Sequence, residues 1–324
     1  MAINWTPDIL GPRFQQATLP LGRDSEGEVV ATIVRHTPLP RFSNWLRRAP
    51  LADVDVLYVH GWNDYFFQRE LAEFWTNRGA RFFALDLRKY GRSLRPGQTP
   101  GYIESLETYD ADIEAALEAM QSNGRRIFLL GHSTGGLVFT LWADRHPGRI
   151  DALLLNSPWL ETQGSTIARM LMTPVLKAQA RVNATAKLPS VDLGFYSRSI
   201  DVNRDGEWEF NPAWRLERGF PAKSAWGAAI IAGHNRVAAG LNIDVPILTL
   251  LSKRSLIAPV WSPEMLRTDI VLIVDDIAKR ALGLGEAVTV VRLDGALHDV
   301  FLSQKTVREE AYRQIDRWLV GYAR

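Results

Sequence analysis

The most constraining stretch of this chain is Gly131-His132-Ser133-Thr134-Gly135-Gly136. Before it, residues 126–130 form a short apolar run with the look of a buried strand. After it, residues 137–145 carry a helical pattern stopped by Pro147. G-x-S-x-G between a strand and a helix specifies a turn so tight that the flanking positions have no room for side chains, and it lifts the serine above the sheet edge. The bare pattern recurs by chance in roughly one chain in ten of this length, so the strand–turn–helix context decides its meaning. Thr134 opens the helix, and its N–H is an orphan donor available to a developing oxyanion. Ser133 is the candidate nucleophile.

The rest of the chain supplies a sheet for that turn. Strand-like runs at 29–36, 54–59, 81–86, 150–155, 246–251 and 288–293 alternate with helical segments around 64–78, 104–121, 275–282 and 303–322. That alternation predicts an α/β fold with a mostly parallel central sheet flanked by helices. It fails between Ser157 and Leu241, a stretch too long for a structureless loop and rich in Trp, Met and Phe. The expected organisation is one core, 1–157 plus 241–324, interrupted by a helical cap at 158–240. The chain has no Cys, which removes disulfides, Cys-ligated metals and a thiol nucleophile. A formal net charge of +2 over 324 residues argues against a nucleic-acid surface. The N-terminus lacks a signal-peptide pattern and no apolar run reaches the ~18 residues of a membrane span, so the expectation is a soluble cytoplasmic protein.

His60-Gly61-Trp62 ends an earlier strand. It resembles the loop that gives α/β-hydrolases their second oxyanion N–H, here from Trp62, with His60 and Gly61 shaping the loop. Residues 86–93, Asp-Leu-Arg-Lys-Tyr-Gly-Arg-Ser, resemble that superfamily's D-x-R-G-x-G-x-S loop, with Lys89 where Gly is usual; the role there is structural. In the α/β-hydrolase order Ser…Asp/Glu…His, which the resemblance implies, the base follows the nucleophile, and that leaves His146, His234 and His298. His146 sits at a helix end, His234 lies in the cap, and His298 follows the last strand in a Gly-loosened loop. His298 has the position of the base. The acid is less direct. Family members place a G-x-x-D-x-x-V/T pattern straight after the penultimate strand, but here Ser252-Lys253-Arg254-Ser255 carries no carboxylate. Asp269-Ile270-Val271 looks like the D-x-V of the pattern displaced by a 16-residue insertion, 253–268, and stands 29 residues before His298. Asp275 and Asp276 suit a helix N-terminus, and they and Glu264 remain the alternatives to Asp269.

Together these elements resemble the serine-hydrolase branch of the α/β-hydrolases that includes monoacylglycerol lipases, lysophospholipases and serine aminopeptidases, over residues from about Val29 to the C-terminus. The resemblance implies double displacement. Ser133 attacks an acyl carbonyl, His298 takes its proton, Asp269 orients the imidazole, and the Trp62 and Thr134 N–H groups hold the oxyanion, with no metal or organic cofactor. The expected partner is a small-molecule acyl ester, with Trp159, Met170, Met172 and Trp226 as candidate pocket residues. The alternatives are a peptidase or amidase on the same triad, for which Glu161, Glu207 and Glu209 are the carboxylates available to hold an ammonium group, and a catalytically silent fold that binds ligand.

Two further signals carry less. The stretch 201–209 imitates half of a calcium loop, with Asp201, Asn203 and Asp205 at positions 1, 3 and 5 and Gly206 at 6, but Pro212 replaces the bidentate Glu. It reads as a polar turn. The basic and aromatic run 41–48 reads as a solvated loop, with transient contact at a membrane surface as the alternative.

Overall fold

The computed structural model describes residues 3–39, 49–162, 174–176, 178–189 and 192–322. Nine strands form one sheet: β1 (Thr6–Pro7), β2 (Phe14–Asp24), β3 (Gly27–His36), β4 (Val54–Val59), β5 (Arg81–Asp86), β6 (Arg126–His132), β7 (Ala152–Asn156), β8 (Ile247–Ser252) and β9 (Val288–Leu293). Their spatial order is β1-β2-β3-β5-β4-β6-β7-β8-β9; the first three strands and the β3–β5 pair are antiparallel, and every later pair is parallel. Parallel strands need crossovers, and helices supply them: α1 (Arg69–Thr76), α2 (Asp110–Met120), α3 (Thr134–Arg145) and, after the long insert, α6 (Val274–Ala281), with α7 (Lys305–Tyr322) closing the chain. The insert contributes α4 (Phe195–Ile200) and α5 (Ser224–Ala238), with irregular backbone between them.

Because side chains alternate across a strand, the sheet separates two cores. Leu57, Val59, Leu129 and Leu153 face α2, α3, α5 and α6, whereas Val56, Tyr58, Phe128 and Leu154 face α1 and α7. The central strands are buried on both faces, which is why 54–59 and 247–252 are mostly apolar, with Asp55, Thr249 and Ser252 as their buried polar exceptions. Among the described residues no helix is long and apolar enough to cross a membrane.

The structure adds strands and trims helices relative to the sequence reading. β2 was absent from that reading because its outer half is polar and exposed and it carries Pro20 beside a register shift. The helix expected over 64–78 begins only at Arg69, since Asp86 Oδ1 and Gln68 Oε1 accept the N–H groups of Phe66 and Phe67 (both 3.0 Å) before a helix can use that segment. Residues 104–121 divide into a 3₁₀ turn, Leu106–Tyr109, and α2.

The loop after β5 braces the edge where the site lies. Buried Arg92 donates to Asp86 (2.8 Å), to Asp8 (2.6 Å) and to the carbonyl of Phe66 (3.1 Å). Lys89 adopts φ +62°, a left-handed conformation that explains why glycine is usual there. The lysine is retained by its charge: its Nζ is buried and lies 2.6 Å from both Asp24 and Glu26 on the β2–β3 hairpin. Partial burial works against those two carboxylates, but bonding to Lys89 holds both below their ordinary values of 3.8 and 4.5. Lowered carboxylate pKa values mean stability that is present at neutral pH and lost as pH falls through them. Lys89→Met is therefore expected to destabilise the protein at about pH 7 by an amount between the ~1 kcal/mol of an exposed pair and the ~3–5 kcal/mol of a buried one. The gap to wild type should shrink at about pH 3. Denaturant melts of both proteins measure it, and an equal gap at the two pH values contradicts the assignment.

Candidate active site

The site forms where the carboxyl ends of β4 and β6 meet the N-terminus of α3. Ser133 sits at φ +51°, ψ −115°, outside the helix it precedes. The turn closes because its flanking residues have no side chains. A Cβ at position 131 would lie 2.7 Å from the carbonyl oxygen of Gly135, and one at position 135 would lie 2.3 Å from that of His60. Backbone bonds fix the serine on both sides, from Ser133 N–H to Asn156 O and from Trp159 N–H to Ser133 O, each 3.0 Å.

The loop after β4 runs directly beside this turn, since a Cβ at Gly61 would be 3.0 Å from Ser133 Cβ. His60 shapes the loop. Its Nε2 accepts from Leu87 N–H (3.1 Å), so Nδ1 carries the proton and donates to Gly61 O (2.7 Å). Burial lowers its pKa despite the nearby Asp86 carboxylate, which keeps it neutral. Among the described residues, the N–H groups of Trp62 and Thr134 have no protein acceptor, so both donors are available to a ligand oxygen.

His298 is buried on the loop between β9 and α7. Its Nδ1 lies 2.9 Å from Asp269 Oδ2, and the other oxygen of Asp269 accepts the N–H groups of Val271 and Leu272, both at 2.8 Å. Asp269 thus lies within hydrogen-bonding distance of His298. The insertion leaves and re-enters at one point: Asp269 N–H donates to Arg254 O (2.9 Å) and Leu256 N–H to Asp269 O (2.8 Å). The alternatives lie elsewhere, with Asp275 exposed and paired to Arg292 and Glu264 exposed on a 3₁₀ turn. No hydrogen bond joins Ser133 to His298 among the described residues; such bonds commonly tighten only in the substrate complex. Beside His298 stands His132, its ring centroid 4.9 Å from that of His298 and its pKa pushed down to about 4 by burial, so it is an uncharged neighbour.

Aromatic side chains cover this site. Trp62 meets Trp226 of α5 at 3.9 Å between centroids with the rings tilted by 38°, and Trp226 also approaches Trp159 (5.9 Å). Met170 and Met172 lie outside the described residues, as does the run 41–48. His146 Nδ1 contacts Trp142 O (2.8 Å) and His234 Nε2 contacts Trp159 O (2.8 Å), so neither points to the serine. In the calcium-like loop, Asp205 is paired with Arg198, and Asp201 Oδ1 accepts from the backbone and side chain of Asn203.

Residues 52–258 match the family described as serine aminopeptidase, S33. The chain belongs to this family. Among curated relatives, phospholipase YtpA of Bacillus subtilis (strain 168) is 31% identical over 122 residues, which are 37% of this chain and 46% of that protein. Lysophospholipase L2 of Escherichia coli (strain K12) is 34% identical over 93 residues, 28% of this chain and 27% of the relative. The chain therefore spans less than half the length of these relatives. Solved structures similar to it include a monoacylglycerol lipase of Paleococcus ferrophilus (TM-score 0.59, 21% identity, 83% of this chain and 94% of the other). A soluble variant of monoglyceride lipase from Saccharomyces cerevisiae has a TM-score of 0.60 at 14% identity, covering 99% and 94%. At such identities the likeness establishes the α/β-hydrolase fold.

Within this S33-family chain, several residues around the site were not legible in sequence. Asp299, fully buried beside His298, accepts from Gln68 (2.9 Å), Asn156 (2.6 Å) and Phe301 N–H (2.9 Å). Asp64, two residues past Trp62, pairs with Arg215 of the insert at 3.3 Å with both side chains buried; burial pushes its carboxyl up to about 7 against the pull of Arg215. Nothing local marks Asp64, whose partner Arg215 lies 151 residues away. The closeness of α3 to the His60 carbonyl makes a direct prediction. Gly135→Ala should displace the oxyanion loop and slow reaction with a fluorophosphonate probe by about 10²–10³, the cost of losing one oxyanion donor; labelling at the wild-type rate contradicts this.

Proposed function

We propose that this protein is a serine hydrolase acting on carboxylic esters through an acyl-enzyme on Ser133, with 158–240 as the cap of the site. The observation that carries the reading is the 2.9 Å contact of His298 Nδ1 with a carboxylate oxygen of fully buried Asp269. With its Nδ1 proton directed at Asp269, His298 keeps Nε2 unprotonated, the form needed to take the Ser133 hydroxyl proton. Ser133 Oγ then adds to the acyl carbonyl, and the Trp62 and Thr134 N–H groups take the oxyanion. His298 returns the proton to the leaving alcohol oxygen as the C–O bond breaks. Water, deprotonated by the same imidazole, releases the acid and restores the serine.

An ester is favoured over an amino-terminal peptide by the fate of the insert's carboxylates. Of the three candidate carboxylates, Glu161 is paired with Arg280 (2.5 Å) and Glu207 with Arg308 (2.5 Å), which offsets the negative charge a substrate ammonium group would need, while Glu209 is exposed. The aromatic cover of Trp62, Trp159 and Trp226 suits an apolar acyl group, and the names of the phospholipase and lysophospholipase relatives agree with an acyl ester.

A fluorophosphonate probe should label the wild type and leave Ser133→Ala unlabelled; label persisting in the variant removes Ser133 as nucleophile, and no label in either favours a silent binding fold. Asp269→Asn should lower ester turnover by about 10⁴, as in other triads, while a loss below about tenfold excludes Asp269 as the orienting acid. On a paired set of p-nitrophenyl esters and aminoacyl anilides, ester cleavage should be the faster; faster anilide cleavage assigns the protein to peptide chemistry.

A further inference from the structure

Three consecutive residues after Trp62 grip one short piece of the insert. Asn63 Nδ2 donates to Leu216 O (2.8 Å) and Leu216 N–H returns a bond to Asn63 Oδ1 (3.0 Å). Arg215 Nε donates to Asp64 Oδ1 (3.3 Å), and Asn211 N–H donates to the Tyr65 hydroxyl (2.6 Å). The same Arg215 reaches toward the base. Its guanidinium lies over the Tyr196 ring, 5.0 Å from the centroid, and its Nη1 donates to Ser197 Oγ (3.3 Å). Tyr196 in turn meets the His298 imidazole edge to face, at 5.5 Å and 78°, while its hydroxyl accepts the Asp299 N–H (3.3 Å). A single buried cation therefore contacts the side chains that continue into both the oxyanion loop and the base loop.

We propose that Arg215 is a positioning residue for the reaction, holding the Trp62 loop through Asp64 and the His298 ring through Tyr196. The proposal rests on the reading of Ser133 and His298 as nucleophile and base. The chemistry explains why arginine is needed. A planar guanidinium bonds a carboxylate and a hydroxyl through its edge while offering its face to a ring, which an ammonium group does not do. Placement matters because a displacement of about 1 Å at a reacting group costs on the order of 10²-fold in rate. The insert is thus part of the catalytic frame as well as its cover.

The test compares wild type, Arg215→Met, Arg215→Lys and the double variant Asp64→Asn/Arg215→Met. Each is measured for fluorophosphonate labelling rate, kcat and KM on a p-nitrophenyl ester, and melting temperature. Arg215→Met should lose about 10- to 100-fold in labelling rate and kcat, with KM within about threefold of wild type. The double variant, which no longer buries an unpaired carboxylate, should regain melting temperature while its rates stay low. Rates that recover together with stability, or wild-type rates in folded Arg215→Met, overturn the proposal by reducing Arg215 to a structural ion pair. If neither Met variant folds, Arg215→Lys decides: a fall of about tenfold in labelling supports the proposal and an unchanged rate overturns it. Failure of the wild type to label is a different result, striking the nucleophile assignment itself.

Discussion

The structure depends on how closely one helix end approaches the sheet. With hydrogen as the only substituent at Gly131 and Gly135, the first turn of α3 comes against the carbonyl of His60 and the end of β6. That contact brings two backbone donors from different parts of the chain beside one serine. It also explains why the neighbouring loops are so heavily braced. The loop carrying Trp62 has no regular secondary structure of its own from 60 to 68, so Asp86, Arg92, His60 and Gln68 supply the partners its backbone would otherwise lack.

Most of the parallel sheet was legible because strands buried on both faces are mostly apolar, as in Val54–Val59 and Ile247–Ser252. The same logic hid β2, whose outer face meets water and whose Pro20 argues against a regular strand. At the site, Ser133 and His298 stood out through local patterns, and Asp269 by analogy with a displaced motif. Asp64, Arg215, Tyr196 and Asp299 did not, since nothing local distinguishes a buried charge that meets its partner only through the fold. Asp64 and Arg215 resemble ordinary loop residues until they are seen almost without solvent. Lys89 shows the converse: its departure from the usual glycine was visible, but the reason lies in a hairpin more than 60 residues away.

The polar interior beside the site is better understood as a device for uniqueness than as a source of stability. Burying Asp64 with Arg215 beside the like charge of Asp299 costs desolvation that the one ion pair only partly offsets, and an apolar cluster of equal volume would serve stability as well or better. Hydrogen-bonding geometry is far more selective than apolar contact, however. It permits one register between the 63–65 loop and residues 211–216, which is what a site assembled from an insert and a core requires. The apolar side of the same contact, Trp62 on Trp226 and Tyr65 on Trp214, supplies area without direction.

The pinched base of the 255–268 excursion has an evolutionary consequence. Because the chain is tied back to itself at Arg254, Leu256 and Asp269, the location of Asp269 is set by the tie. Lengthening such a loop adds only a slowly growing closure entropy, about 0.6 kcal/mol per doubling. The excursion is therefore a place where sequence and length can drift while the chemistry stays still. It already extends over the insert, with Trp261 against Phe195 and under Arg198. Divergence there would reshape this contact with Phe195 and Arg198 without asking Asp269 to move.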